Sequence, residues 1–200
     1  MKENYTHIEF ILDESGSMWK RKQDVIGGFN SFIEEQYALP GELSVNLTRF
    51  SSIVSIPTKV ERGFKLSEKI YSPGGNTALL DAVGLRIDNL GRHLRDIPED
   101  KRPEKVIFVI ITDGEENSSK FYTKTQVKQS VEHQRDGYNW QFVFLGADID
   151  AFRDGTQLGF SAGSTMSFDS SNYYNTYTIT GQGITDYRTG ITSSVNLSDR

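Results

Sequence analysis

The chain has 200 residues, of which 36% are hydrophobic and 24% charged, enough apolar material to close one core of ordinary size. A formal net charge of −5 argues against any general affinity for nucleic acid or for an anionic membrane surface. Cysteine is absent, which excludes thiolate metal sites, disulfides and cysteine nucleophiles and fits a reducing compartment.

The first residues carry no basic segment followed by a signal-type apolar stretch. No window approaches the ~18 apolar residues that span a bilayer. The expectation is a soluble cytoplasmic protein. Residues 7–12 form the first apolar run and predict a buried strand. Val25, Ile26, Phe29, Phe32, Ile33 and Tyr37 recur at helical spacing, predicting a helix from about 20 to 37 that Pro40-Gly41 ends. In residues 43–50, Leu43, Val45 and Leu47 alternate with Ser44, Asn46 and Thr48, the pattern of a half-buried strand. Residues 53–60 follow as its hairpin partner, and Pro57 suits an edge position.

Residues 77–94 repeat the helical pattern through Leu79, Leu80, Val83, Leu85, Ile87, Leu90 and Leu94. Residues 105–111 are almost wholly apolar or β-branched, as in a central parallel strand. A polar helix over 123–135, a buried strand over 140–145, a short helix over 150–158 ending at Gly159, and a last edge strand over 164–168 complete the alternation. Residues 173–188 fit a helix capped by Ser170 or Ser171 and stopped before Gly190. They also fit a hairpin, because Tyr177-Thr178-Ile179-Thr180 alternates ahead of Gly181-Gln182-Gly183; the helix is preferred. Strands alternating with helices give an α/β fold with a mostly parallel central sheet. No repeat or linker divides the chain, so one domain is expected over 1–200, its core at about 5–160 and a strand/helix extension at 161–200.

Three oxygen-rich turns lie where these elements meet. Asp13-Glu14-Ser15-Gly16-Ser17 follows the first strand, Gly74-Gly75-Asn76-Thr77 opens the second helix, and Thr112-Asp113-Gly114 follows the strand at 105–111. Loops after parallel strands gather in a crevice beyond the carboxyl ends of the sheet. Asp13, Ser15, Ser17, Thr77 and Asp113 are therefore candidate ligands of a divalent cation. Hard oxygen donors suit Mg²⁺, Mn²⁺ or Ca²⁺ rather than zinc, and Mg²⁺ is expected to keep part of its hydration. With only two anions in the set, the ion stays electrophilic and favours a further carboxylate from outside.

Asp13-x-Ser15-x-Ser17 with a distant Thr77 and a distant Asp113 resembles the metal-ion-dependent adhesion site of von Willebrand factor A (VWA) domains. The stretches Phe-Ile-Leu-Asp-Glu-Ser-Gly-Ser-Met, Gly-Gly-Asn-Thr-Ala-Leu-Leu-Asp-Ala-Val and Ile-Thr-Asp-Gly-Glu-Glu-Asn are similar to bacterial and phage-type members. The likeness covers about residues 5–150. It implies a three-layer, Rossmann-like VWA fold with one antiparallel edge strand and helices on both faces. It also implies that Asp13, Ser15, Ser17, Thr77 and Asp113 hold the metal and that a protein partner presents an Asp or Glu to it. Another family pattern is pairing with an AAA+ ATPase of the MoxR type. Asp81 resembles a further position common in the family and is expected to support the site rather than ligate.

Plainer roles compete. Ser15, Ser17, Asn76 and Thr77 are also ordinary helix caps. Glu115 and Glu116 read as solvated surface, and Lys20-Arg21-Lys22 with Trp19 as a solvated face or a lure for an acidic partner, set against the helix dipole. His7, His93 and His133 lack ligand spacing and read as structural or surface groups; Phe142 and Phe144 read as strand core. Among enzymes, a haloacid-dehalogenase-type phosphatase would need an Asp where Ser15 stands. A P-loop is absent, and no nucleophile elbow of the serine-hydrolase kind is expected. Metal-assisted hydrolysis and an assembly component with a merely stabilising metal are the alternatives to a binding module, and catalysis is not expected.

Overall fold

The computed structural model describes residues 1–113, 115–147, 155–168 and 173–198. Its strands are β1 (Lys2–Asp13), β2 (Glu42–Phe50), β3 (Thr58–Val60), β4 (Pro103–Thr112), β5 (Gln141–Ala147) and β6 (Thr165–Phe168). The helices are α1 (Lys22–Ala38), α2 (Leu79–Asp96), α3 (Lys124–Tyr138) and α4 (Tyr173–Arg188). The strands form a six-stranded sheet in the order β3-β2-β1-β4-β5-β6. Every pairing is parallel except β2 with β3, the antiparallel edge. The chain leaves β1 towards β2 on one side and reaches β4 on the other. The topological switch point therefore lies between β1 and β4, whose carboxyl ends carry Asp13 and Asp113.

Strand alternation sorts the two faces. Ile8, Phe10 and Leu12 of β1 pack with Val25, Phe29, Phe32 and Ile33 of α1 and with Tyr177, Ile184 and Tyr187 of α4. On the opposite face Ile11, Phe108, Ile110 and Phe144 meet Val83, Ile87 and Leu90 of α2 and Val127 and Val131 of α3. These are the two helical layers of the expected three-layer fold. Asp13 and Glu9 share the α2 face with Ile11, since alternate residues of a strand point the same way.

Several expectations change in detail. β1 begins at Lys2 rather than at 7, because the polar residues before His7 still pair with β2 and β4, which hydropathy does not register. The edge strand covers only 58–60 of the expected 53–60. Ser51 and Ser55 bond back to Ile53 and Arg49, closing a turn that leaves Ile53 79% and Ile56 89% exposed. The first helix is preceded by a 3-10 turn over Gly16–Arg21, so Lys20 and Arg21 lie outside it and only Lys22 stands in its first turn. The dipole penalty expected for three cations falls mostly away.

Residues 173–188 are helical, and the hairpin alternative is overturned. Tyr177, Ile184 and Tyr187 recur on one helical face that covers α1, whereas a hairpin would have split them between two. Gly28 of α1 makes the contact: a Cβ there would lie 2.3–2.7 Å from the Tyr177 ring. Arg188 donates to the Gln36 carbonyl (2.6 Å) and to Gln36 Oε1 (3.0 Å), tying the far end of α4 to α1. The proposed caps Ser170 and Ser171 and most of the short helix expected at 150–158 lie outside the described residues.

Candidate metal centre

Asp13 ends β1 on the buried α2 face, and both of its carboxylate oxygens are engaged. Oδ1 accepts from the Ser15 amide (2.7 Å) and Oδ2 from the Thr112 hydroxyl (2.6 Å). Thr112 precedes Asp113 on β4, so a single strand end both anchors one carboxylate and presents the other. The Ser15 and Ser17 hydroxyls are 3.0 Å apart, and Ser17 Oγ donates to Asp113 Oδ1 at 2.6 Å. Residues from two loops 96 positions apart are thereby joined in one chain of oxygens. Ser15, Asp13 and the Asp113 side chain are buried, while Ser17 is exposed and marks the open side.

Thr77 arrives on a third loop that is sewn to the other two. Gly16 donates to the Gly75 carbonyl (3.0 Å) and Gly74 to that of Glu14 (2.8 Å). The Thr77 carbonyl accepts from the amides of Asn117 and Ser118, and its own amide donates to Asn117 Oδ1 (2.9 Å). Gly75 makes this loop possible: its φ is +82°, and a Cβ would come within 2.9 Å of Ser52 Oγ. The backbone thus delivers Thr77, itself buried, to the same edge. Thr77 lies one residue before Ala78, the N-cap of α2, and the helix starts at Leu79 rather than at 77.

Supporting residues that the sequence did not single out hold the loops still. Tyr71 donates through Oη to the Asp13 carbonyl (2.7 Å), and burial pushes its phenol well above the ordinary range. Arg49 reaches Glu14 at 3.0 Å, and Glu14 accepts from the Ser72 amide, pinning the 70–74 segment. Asp81 accepts the amides of Lys120 (2.8 Å), Phe121 (2.9 Å) and Tyr122 (2.9 Å), tying the segment after β4 to the first turn of α2. Glu116, read as solvated surface, instead accepts from the amides of Leu80, Ser118 and Ser119 and from the Ser119 hydroxyl. It caps the α2 N-terminus and folds its own loop, a use of Glu that only the approach of the two loops reveals. Glu115 is exposed, as expected.

The basic triplet separates into three roles. Lys20 is exposed; Lys22 pairs with Glu68 (3.1 Å) and lies over the Trp19 ring; Arg21 contacts Asp113 Oδ2 through Nη1. Met18, buried in the α1-side core, anchors the 3-10 turn that aims Arg21 back at the site. His7 is structural, bonded to Ser44 and Glu9. Gly159-Phe160-Ser161-Ala162-Gly163 spells the Gly-x-Ser-x-Gly pattern of serine hydrolases, against the expectation from the sequence. It runs into the 3-10 turn Ala162–Ser164 that enters β6, with Ser161 as the N-cap, and is not at a strand-to-helix elbow. The cavity it lines contains no histidine or carboxylate side chain among its described residues.

Burial raises the Asp13 carboxyl pKa to about 6; the hydrogen bonds from Thr112 and Ser15 oppose the rise and the neighbouring Asp113 charge adds to it. A carboxylate that water solvates this poorly gains from a cation beside it. Among the described residues no three His, Cys, Asp or Glu side chains cluster, so an ion held here would rely on hydroxyl oxygens. The donor set fits a hard cation: Ser17 gives its proton to Asp113 and keeps its lone pairs, and the carboxylates supply two negative charges. No thiolate or imidazole is present to prefer zinc.

No protein-family model matches the sequence, nor does any curated protein. Solved structures do share its fold. Proximal thread matrix protein 1 from the mussel byssus, with a zinc-occupied MIDAS motif, aligns at TM-score 0.63 and 14% identity over 88% of this chain and 46% of its own. The vWF domain of the type V pili tip protein Mfa5 from Porphyromonas gingivalis aligns at TM-score 0.65 and 9% identity over 94% of this chain and 96% of its own. A von Willebrand factor type A protein from Catenulispora acidiphila aligns at TM-score 0.56 and 14% identity, over 91% and 43% respectively. This chain thus spans less than half the length of the mussel and Catenulispora proteins.

Proposed function

We propose that this chain, whose fold is that of von Willebrand factor A domains, is a divalent-metal-dependent protein-binding module. The observation that carries the reading is the linked set Asp13–Ser15–Ser17–Asp113 at the switch point of the sheet, with the Thr77 loop sewn against it. Asp13, Ser15, Ser17, Thr77 and Asp113 would hold the ion, Mg²⁺ in the first instance. The ion would supply an electrophilic position for an Asp or Glu of the partner. Exposed Trp19 and Phe121 stand on the segments after β1 and β4, and exposed Ile53 on the loop that bonds to Ala78; they are apolar surface that a partner protein could cover. Similar folds described as a matrix protein and a pilus tip protein agree with an interaction role.

The MoxR-type ATPase is one partner to try. Absence of cysteine favours a cytoplasmic setting, whereas the shared fold of a pilus tip protein favours the cell surface, and fractionation of the source cell decides between them. No described helix is long and apolar enough to cross a membrane.

The test is affinity capture from the source cell with Mg²⁺, with EDTA, and with Asp13→Ala plus Mg²⁺. A protein held only by the wild type with Mg²⁺ supports the module, whereas identical capture in all three lanes removes the site from recognition. An assembly role with a merely stabilising metal predicts instead that Thr77→Ala lowers the melting temperature more than it weakens capture.

A further inference from the structure

Arg21 is the one cationic side chain recorded in contact with the cluster among the described residues. Its Nη1 meets Asp113 Oδ2, the oxygen not taken by Ser17. The Asp113 side chain has no solvent exposure, while Arg21 itself is 20% exposed, so the guanidinium roofs the carboxylate. The hold is incomplete: Arg21 Nε is buried without a hydrogen-bond partner, an arrangement that disfavours the docked position. The 3-10 turn at Gly16–Arg21 fixes the root of the side chain just before α1, from which a long, flexible stem can swing outwards.

We propose that Arg21 is a built-in competitor for the metal, a tethered cation that shares Asp113 with the divalent ion and weakens the ion's hold. The inference rests on the metal-site reading above. Charge makes the competition direct. Two carboxylates balance one divalent ion, and a guanidinium against the same Asp113 leaves an uncompensated positive charge in a poorly solvated place. Binding of the ion therefore drives Arg21 off Asp113 and into solvent beside Trp19, at the rim where a partner's acidic residue would arrive. Metal loading would in this way expose a second contact for the partner as well as the first.

The experiment is calorimetric titration of the full chain with Mg²⁺ and Mn²⁺ for wild type, Arg21→Gln, Arg21→Lys and Asp13→Ala. Melting temperature is measured alongside in EDTA and in saturating Mg²⁺. Expected is a roughly 10–100-fold lower Kd for Arg21→Gln, the range over which groups contacting metal ligands move affinity, but here towards tighter binding. Arg21→Lys, which keeps the charge, stays near wild type. In EDTA Arg21→Gln melts below wild type, because Asp113 loses its cation, and Mg²⁺ restores it. Should Arg21→Gln fold only with Mg²⁺, its Kd is first corrected for the coupled folding, and the same criterion then applies. If wild type binds metal and Arg21→Gln binds it equally or more weakly, the competitor role is overturned while the metal site stands. Absence of metal binding in wild type and every variant overturns both.

Discussion

Replacement of Arg86 by methionine should be among the most damaging single changes away from the candidate site. Arg86 of α2 meets Glu9 of β1 inside the sheet–helix interface, Nε to Oε1 at 2.8 Å, and both residues are buried. Removing one member of such a pair costs ~3–5 kcal/mol, because the remaining charge is uncompensated. His7, Asn46 and Thr48 still donate to Glu9, which places the loss near the lower end, about 3 kcal/mol. That is a large part of the ~5–15 kcal/mol that holds a domain together. Urea unfolding should show a lower midpoint with an unchanged slope, since the surface exposed on unfolding barely changes. Glu9→Leu combined with Arg86→Met removes both charges, so the double variant should be more stable than Arg86→Met alone. The reasoning also sets a pH dependence. Burial raises the Glu9 pKa, but the hydrogen bonds and charges of His7 and Arg86 outweigh it, and the folded value lies below the usual glutamate range. A depressed folded pKa means stability that is fully present above the unfolded value of ~4.3 and lost as pH falls through the folded one. Glu9→Gln should flatten that acid limb. An Arg86→Met variant within ~0.5 kcal/mol of wild type, or a double variant weaker than the single, would refute the account, since small shifts of that size are what neutral surface changes give.

Gly28→Ala should destabilise by ~1–3 kcal/mol, the usual cost of overpacking, because its Cβ would enter the buried Tyr177 ring. Hydrogen exchange should show the loosening concentrated in α4. Asp81→Ala deprives three amides of their acceptor and should cost at least ~1.5–3 kcal/mol, the worth of one charge-assisted hydrogen bond. The 118–122 segment should lose exchange protection first. Thr123→Ala breaks a capping box closed with Gln126 and should lower stability by ~0.5–2 kcal/mol by urea titration, with metal affinity unmoved.

The order of the described strands and helices, the antiparallel edge and the three oxygen-rich loops that meet at one edge of the sheet were legible in the sequence because each is written in neighbouring residues. An apolar run such as Val106–Ile111 reports burial on both faces, and a Ser, Thr or Asp just beyond such a run reports a loop at the sheet edge. The helix at Tyr173–Arg188 was half legible: its local alternation also suited a hairpin, and the partner surface on α1, with Gly28 opposite Tyr177 and Gln36 opposite Arg188, decided it. Other assignments depended on contacts between segments far apart in the chain. Glu9 is one charge in an apolar strand until α2 lays Arg86 across it, 77 residues later. Glu116 looks like surface until the loop after β4 closes on α2, and Arg21 looks like one of three solvated cations until the 3-10 turn carries it to Asp113. Hydropathy and turn chemistry act over a few residues, so the sequence specifies where chain segments lie buried or turn. Which buried charge meets which is fixed only when the sheet closes, because removing a charge from water is tolerable only with its partner already in place.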